Sequence, residues 1–261
     1  MFFTRDGVKI HYQWDGTEGK PPLTLVHGVG GQLRYWDWVV DELAPDFRIL
    51  RHDQRGHGQS DKPRDKITID EFVADLKALL DHVGLKKTHL FGFSLGGLVV
   101  QAFALKHPEY IDKLIIMGSV AGRNAEEKAR VMQRLEILRS LGPLGHFDAS
   151  VDRWFTPEFR AAHPDIMAKR RAYAAEMDPD CYVAAYRVLA ENDFADRLHE
   201  IRLPTLVATG ENDMGSNPRM SKLMHDKIAG SRFHIFPGLR HNLLFEAPKQ
   251  VSGLVRDFLQ D

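Results

Sequence analysis

The stretch Lys87–Gln101 constrains this chain more than any other. An apolar run, Leu90-Phe91, leads into Gly92-Phe93-Ser94-Leu95-Gly96, and an apolar segment of helical length follows. Read physically, this is a buried strand, a sharp turn with Ser94 at its apex, and a helix. The glycines suit such a turn because neighbouring backbones come too close there for a Cβ. The turn pushes the Ser94 hydroxyl out of a sheet, and the helix start aims backbone N–H groups at whatever that hydroxyl attacks. The five-residue pattern alone is not rare at this Gly and Ser content. The strand before it and the helix after it make it specific.

The remaining order follows from this element. Residues 2–14 alternate around Arg5-Asp6-Gly7, which predicts a hairpin turning at Asp-Gly. Leu23–Val26 is a compact strand ending at His27-Gly28-Val29-Gly30-Gly31, followed by a helix over Tyr35–Leu43 and a strand over Phe47–Leu50. Thr68 with Glu71 forms a capping box for a helix whose apolar face is Phe72, Leu76, Leu79, Leu80 and Val83. Leu114–Met117 is another buried strand. From Gly122 to about Phe194 the pattern is helical throughout, with Val131, Leu135 and Leu138 on one face and a helix over Ala172–Ala190. Alternation resumes with strands Thr205–Ala208 and Arg232–Phe236 and helices Met220–Ile228 and Pro248–Leu259. The expectation is an α/β fold: a mostly parallel twisted sheet flanked by helices, formed by residues 1–121 and 195–261, with residues 122–194 inserted as a helical cap.

Bulk properties narrow the function class. The 261 residues carry a formal net charge of −1 and are 43% hydrophobic, so no general electrostatic case exists for nucleic acid or a membrane surface. No stretch of about 18 apolar residues suggests a span, and the N-terminus lacks a secretory apolar region. The single cysteine, Cys181, fits a reducing compartment, so a cytoplasmic location is expected. A homo-oligomer is compatible with all of this. The cap holds nine arginines and two lysines against twelve Asp and Glu residues. That near-balance gives no reason to expect an anionic substrate, and the arginines are expected mostly on helix surfaces.

A serine hydroxyl needs a base within reach and an acid to orient that base. In a parallel sheet the strand ends converge on one edge, so both partners should follow later strands. Asp213 follows strand Thr205–Ala208, and His241 follows strand Arg232–Phe236. His27-Gly28-Val29-Gly30 follows an earlier strand, so the amides of Val29 and Leu95 are the expected oxyanion donors; His27 itself reads as structural. His52, Asp53 and His57 lie close in sequence, but no second ligand cluster supports a metal site, and a packed turn is the expected role. No phosphate loop or dinucleotide fingerprint is present, so no cofactor is expected. Trp36, Trp38, Trp154 and Phe155 are candidates for an apolar pocket or for ordinary packing.

As a set, His27-Gly28, Asp53-x-Arg55-Gly56-x-Gly58-x-Ser60, Gly92–Gly97, Asp213 and Gly238-x-x-His241 make the chain resemble the α/β-hydrolase superfamily over nearly its whole length. Together with Arg153–Phe159 in the cap, the Asp53–Ser60 run is similar to that of 3-oxoadipate enol-lactonases and related small carboxylesterases. The resemblance implies a Ser94-His241-Asp213 triad and an ester or lactone substrate, with a carboxylated one among the candidates, bound between cap and core. Ser94 departs from the dehalogenases and epoxide hydrolases of this fold, which carry Asp at the nucleophile. Asn242 departs from the C–C bond hydrolases, which usually have Trp after the catalytic His.

The expected activity is hydrolysis of a small-molecule carboxylic ester or (enol-)lactone through an acyl-enzyme. C–C bond hydrolysis and cofactor-free perhydrolase or haloperoxidase-like chemistry use the same triad. A slow-turnover small-ligand receptor on this fold is the alternative from another class.

Overall fold

A computed structural model describes residues 1–261. The chain opens with strands β1 (Phe2–Arg5) and β2 (Val8–Asp15), joined by Asp6 and Gly7 at φ 49° and 80°. Both residues are left-handed, as the tight hairpin anticipated at Asp-Gly requires. Strand β3 (Pro22–Val26) is followed by a 3-10 turn over Leu33–Trp36, helix α1 (Asp37–Leu43) and strand β4 (Arg48–His52). Helix α2 (Ile69–His82), strand β5 (Thr88–Phe93), helix α3 (Leu95–Lys106) and strand β6 (Ile111–Met117) come next.

Five helices then intervene without a strand: α4 (Ala125–Asp148), α5 (Val151–Trp154), α6 (Pro157–Ala162), α7 (Pro164–Glu176) and α8 (Pro179–Glu191). Strand β7 (Thr205–Gly210), helix α9 (Pro218–Lys227), strand β8 (Arg232–Phe236) and helices α10 (Leu243–Glu246) and α11 (Pro248–Gln260) complete the chain. No helix is long and apolar enough to cross a membrane.

The eight strands form one sheet in the order β1-β2-β4-β3-β5-β6-β7-β8. Only the pairings of β2 with β1 and β4 are antiparallel; β4 through β8 run parallel. Every residue of β7 is buried, and β5 is buried except at His89. This is why they read as continuous apolar runs rather than alternating ones. One face of the sheet packs on α2, α3 and α9 through Leu76, Leu79, Phe103 and Met224; the other packs on α1 and α11 through Trp36, Leu43, Val251 and Val255.

Two local expectations are corrected by long-range contacts. Thr68 does cap α2 by accepting the Glu71 amide at 3.2 Å, but the Glu71 carboxylate does not return to close a box. It pairs instead with Arg5 and with Arg55, the latter at 2.7 Å. A complete capping box stands at Asn124 and Glu127, opening α4. The helix anticipated over Ala172–Ala190 is broken at Met177-Asp178, where Asp178 caps α8 by accepting the Cys181 amide at 2.9 Å. Within the insert, Val131, Leu135 and Leu138 of α4 pack on Tyr182 and Tyr186 of α8.

Candidate active site

Ser94 sits between β5 and α3 at φ 57°, ψ −117°. A non-glycine residue there costs on the order of 1–3 kcal/mol and persists only where its surroundings hold it. They do so from both sides: the Ser94 amide donates to the Met117 carbonyl at 2.9 Å, and the Ser94 carbonyl accepts from Ser119 Oγ at 2.9 Å and the Leu98 amide at 3.2 Å. Gly96 is obligatory because a Cβ on it would lie 1.9 Å from the Val26 carbonyl oxygen. The turn is therefore wedged between β3 and β6, and Ser94 has almost no freedom to relax.

The other residues anticipated for the site arrive at the same edge, because parallel strands end together. His241 follows β8, and its Nε2 lies 3.2 Å from Ser94 Oγ. Its Nδ1 lies 2.6 Å from Asp213 Oδ2 in the turn after β7. Asp213 Oδ1 accepts the amides of Gly215 and Ser216 at 2.8 and 2.9 Å. Burial opposes ionisation of Asp213, but the facing His241 ring and those amides outweigh it and hold the carboxyl below its usual range. The acid is thus an anion at neutral pH, and it fixes the imidazole with its proton on Nδ1 and Nε2 free to accept from Ser94.

Val29 lies in the loop after β3 and lines the same pocket. The next two amides in this loop are already engaged: Gly30 N–H donates to His57 Nε2 at 3.2 Å and Gly31 N–H to the Gly28 carbonyl at 3.0 Å. The Val29 amide has no acceptor within the chain. Leu95 opens α3, where the first-turn amides have no partner in the helix. The two amides anticipated as oxyanion donors therefore both lack an acceptor within the chain's own secondary structure.

His27 and His57 hold this loop rather than react. His27 Nδ1 donates to the Gly28 carbonyl at 2.8 Å, leaving Nε2 to accept the Gln54 amide at 3.0 Å. His57 Nδ1 donates to the Arg55 carbonyl at 3.0 Å. Burial lowers the proton affinity of both and brings His57 down to about 3, so both rings are neutral acceptors at physiological pH. Asp53 accepts the amides of Leu33 and Gln59 at 2.7 and 2.9 Å, which ties the turn to the neighbouring loop.

The pocket above Ser94 has about 80 Å³ of free volume. That is well below the ~300–1,000 Å³ of clefts for drug-sized ligands. Trp154 lines it, whereas Phe155 and Trp36 are fully buried packing residues and Trp38 is exposed. The unanticipated feature is four arginines on the wall: Arg123, Arg134, Arg153 and Arg170. The expectation that the insert's arginines lie mostly on helix surfaces holds for five of the nine, which pair with carboxylates there, and fails for these four. One signal was available: Arg134 falls between Val131 and Leu138, on the apolar stripe of α4.

The insert is also tied to the segment carrying His241. The Asn242 amide donates to the Trp154 carbonyl at 2.9 Å, and Arg240 Nη1 donates to the carbonyls of Asp152 and, at 3.1 Å, Phe155. Thr156 donates its amide and hydroxyl to Glu246 at 3.2 and 2.5 Å.

Residues 21–248 match the profile of a family described by its alpha/beta hydrolase fold. Among solved structures, the enol-lactonase from Burkholderia xenovorans LB400 superposes with a TM-score of 0.93 at 27% identity, covering 100% of both chains. The 3-oxoadipate enol-lactonase 2 of Acinetobacter baylyi is 29% identical over 210 residues, 80% of this chain and 78% of that protein. A proline iminopeptidase of Lactobacillus acidophilus is 28% identical over 281 aligned positions, 97% of this chain and 95% of that protein.

Proposed function

From the premise that the chain belongs to the alpha/beta hydrolase fold family, we propose that it is a serine hydrolase of small carboxylic esters or lactones. The observation that carries the reading is the continuous relay from Ser94 Oγ through His241 to the buried Asp213 carboxylate, at 3.2 and 2.6 Å. In this reading Ser94 Oγ forms a bond to the substrate carbonyl carbon as its proton passes to His241 Nε2. The Val29 and Leu95 amides hold the resulting oxyanion. As the tetrahedral adduct collapses, the C–O bond to the leaving alkoxide breaks and the alkoxide takes the proton from His241. Water then cleaves the acyl-enzyme by the same relay in reverse. Residues 122–194 act as a cap that supplies most of the pocket wall over a core of 1–121 and 195–261.

The enol-lactonase and iminopeptidase likenesses point to different substrates, and pocket charge separates them. An aminopeptidase substrate presents a cationic α-amino group. Here four arginines line the wall, and the one carboxylate, Asp213, is already committed to His241 and two amides. Like charges that close to a desolvated cation disfavour its entry. Ester and lactone substrates carry no such penalty.

The test is hydrolysis of aryl esters, enol-lactones, simple lactones and a proline arylamide by the parent and by Ser94→Ala. The expected result is turnover of esters or lactones, with a loss of ~10³-fold or more on removing the hydroxyl. Retention of most activity in Ser94→Ala, or a preference for the proline arylamide, would sink the reading.

A further inference from the structure

The nine arginines of the insert divide cleanly. Arg130, Arg139, Arg160, Arg171 and Arg187 each pair with a neighbouring carboxylate on the surface. Arg123, Arg134, Arg153 and Arg170 pair with none, and these are the four that line the pocket over Ser94. Charged side chains withdrawn from water are normally paired, because desolvation is not otherwise repaid. Four unpaired guanidiniums around one small cavity imply that the missing counter-charges arrive with a ligand.

The surroundings leave these groups open toward the cavity. Arg123 donates to the Ala190 carbonyl at 3.3 Å, and the nearby Asp193 is occupied by the amides of Gly122, Arg123 and Ala195. Arg153 donates to Ser150 Oγ at 2.5 Å and to nothing else. Arg170 lies with its guanidinium carbon 3.6 Å from the centre of the Tyr35 ring, and its buried Nε has no partner at all. Burial lowers the proton affinity of Arg123, Arg153 and Arg170, the last to about 9, which leaves each charged at neutral pH.

Two of the four can be placed against the walls of the site. Arg134 approaches the Gly215 turn beside Asp213. Arg170 stacks on Tyr35, whose hydroxyl donates to the Gly30 carbonyl in the oxyanion loop.

We propose that the pocket is built for a multiply anionic small molecule, its oxyanionic groups seated at Arg123, Arg134, Arg153 and Arg170 around the carbonyl presented to Ser94. This rests on the serine-hydrolase reading for the position of the scissile bond, but the anion seats stand on the arginines alone. Carboxylate and phosphate both match the guanidinium fork, so the shared chemistry is the paired oxyanion.

The experiment is calorimetric titration of the Ser94→Ala protein, which removes turnover, with propionate, glutarate, tricarballylate and 3-phosphoglycerate at low salt. Arg134→Gln and Arg170→Gln are made in the same background, with Arg139→Gln, a surface ion-pair residue, as control. The expected result is that at least one multiply charged acid binds ~10-fold or more tightly than propionate. Each pocket variant should lose ~10-fold or more of that affinity while the control keeps it. Preference for the carboxylates or for 3-phosphoglycerate then assigns the anion. The two pocket variants should also unfold at a higher temperature than their background without ligand, because each removes an unpaired charge; a merely structural arginine would move the midpoint the other way. Equal binding of propionate and the multiply charged acids, or affinities untouched by both variants, would overturn the proposal. If the acids bind as expected but Ser94→Ala retains hydrolysis, the serine-hydrolase reading fails alone. If esters are cleaved through Ser94 but no acid binds, the anion seats fail alone.

Discussion

Gly28→Ala isolates the oxyanion loop from every other part of the site. An alanine Cβ at this position would lie 2.9 Å from Ser94 Cβ and 3.4 Å from both Ser94 Oγ and the Phe93 carbonyl oxygen. Carbon pairs rest at ~3.5–4.0 Å, so one partner must retreat by about 0.6–1 Å. Ser94 cannot, because β6 and α3 pin both its amide and its carbonyl. The 28–31 loop therefore yields and carries the Val29 amide away from the position proposed for the oxyanion. Misplacement on that scale costs ~10²-fold. The expected outcome is a kcat lowered about 10²-fold, with KM within about 3-fold because the arginines that hold the substrate are untouched. The assay is steady-state hydrolysis of the preferred ester, with Gly253→Ala, where a Cβ meets nothing within 4 Å, as the control. A Gly28→Ala enzyme with kcat within about 3-fold of the parent would refute both the rigidity of the elbow and the role given to Val29.

Two further outcomes concern stability. Asp75, buried with Arg55 (2.6 and 2.8 Å) and Arg5 (2.7 Å), shares both guanidiniums with Glu71, so Asp75→Ala should lower unfolding free energy by ~1–3 kcal/mol in urea melts; a loss under ~0.5 kcal/mol would show the carboxylate to be dispensable. Burial holds His52 at about 4 and His57 and His146 at about 3, below the ordinary histidine value of 6.5. Between those values the unfolded chain binds protons that the folded chain refuses. The melting temperature should therefore be level above about pH 6.5 and fall as pH drops toward 4. A flat profile across that window would mean that the buried rings are not neutral.

What the sequence made legible was local or topological. The Ser94 elbow could be read because its strand, glycines and helix are contiguous, and Asp213 and His241 because parallel strands deliver their ends to one edge. The Glu71 box could not be read correctly: Arg5 and Arg55 come from other parts of the chain and outcompete the helix's own amide for the carboxylate. The pocket arginines were hidden for a similar reason. Summed over the insert, charge is balanced, and only tertiary packing sorts paired arginines outward and unpaired ones inward. Arg134 on the α4 stripe hinted at this, but Arg123, Arg153 and Arg170 lie on segments with no comparable pattern.

The ties between Asp152–Thr156 and Arg240–Glu246 bear on how such a protein diversifies. Specificity in an enzyme with a covering insert looks transferable: cut at 122 and 194, graft in a relative's helices, keep the machinery below. Here the insert accepts hydrogen bonds from Arg240 and Asn242, the two residues flanking the proposed base, and donates to Glu246 further on, so a foreign insert would leave the His241 loop without its upper support. The unit that must travel together is the insert plus the 238–246 segment, even though residues 195–237 separate them in sequence. Recombination that respects this linkage should yield chimeras that turn over; crossovers between the two should yield chimeras that fold and are slow.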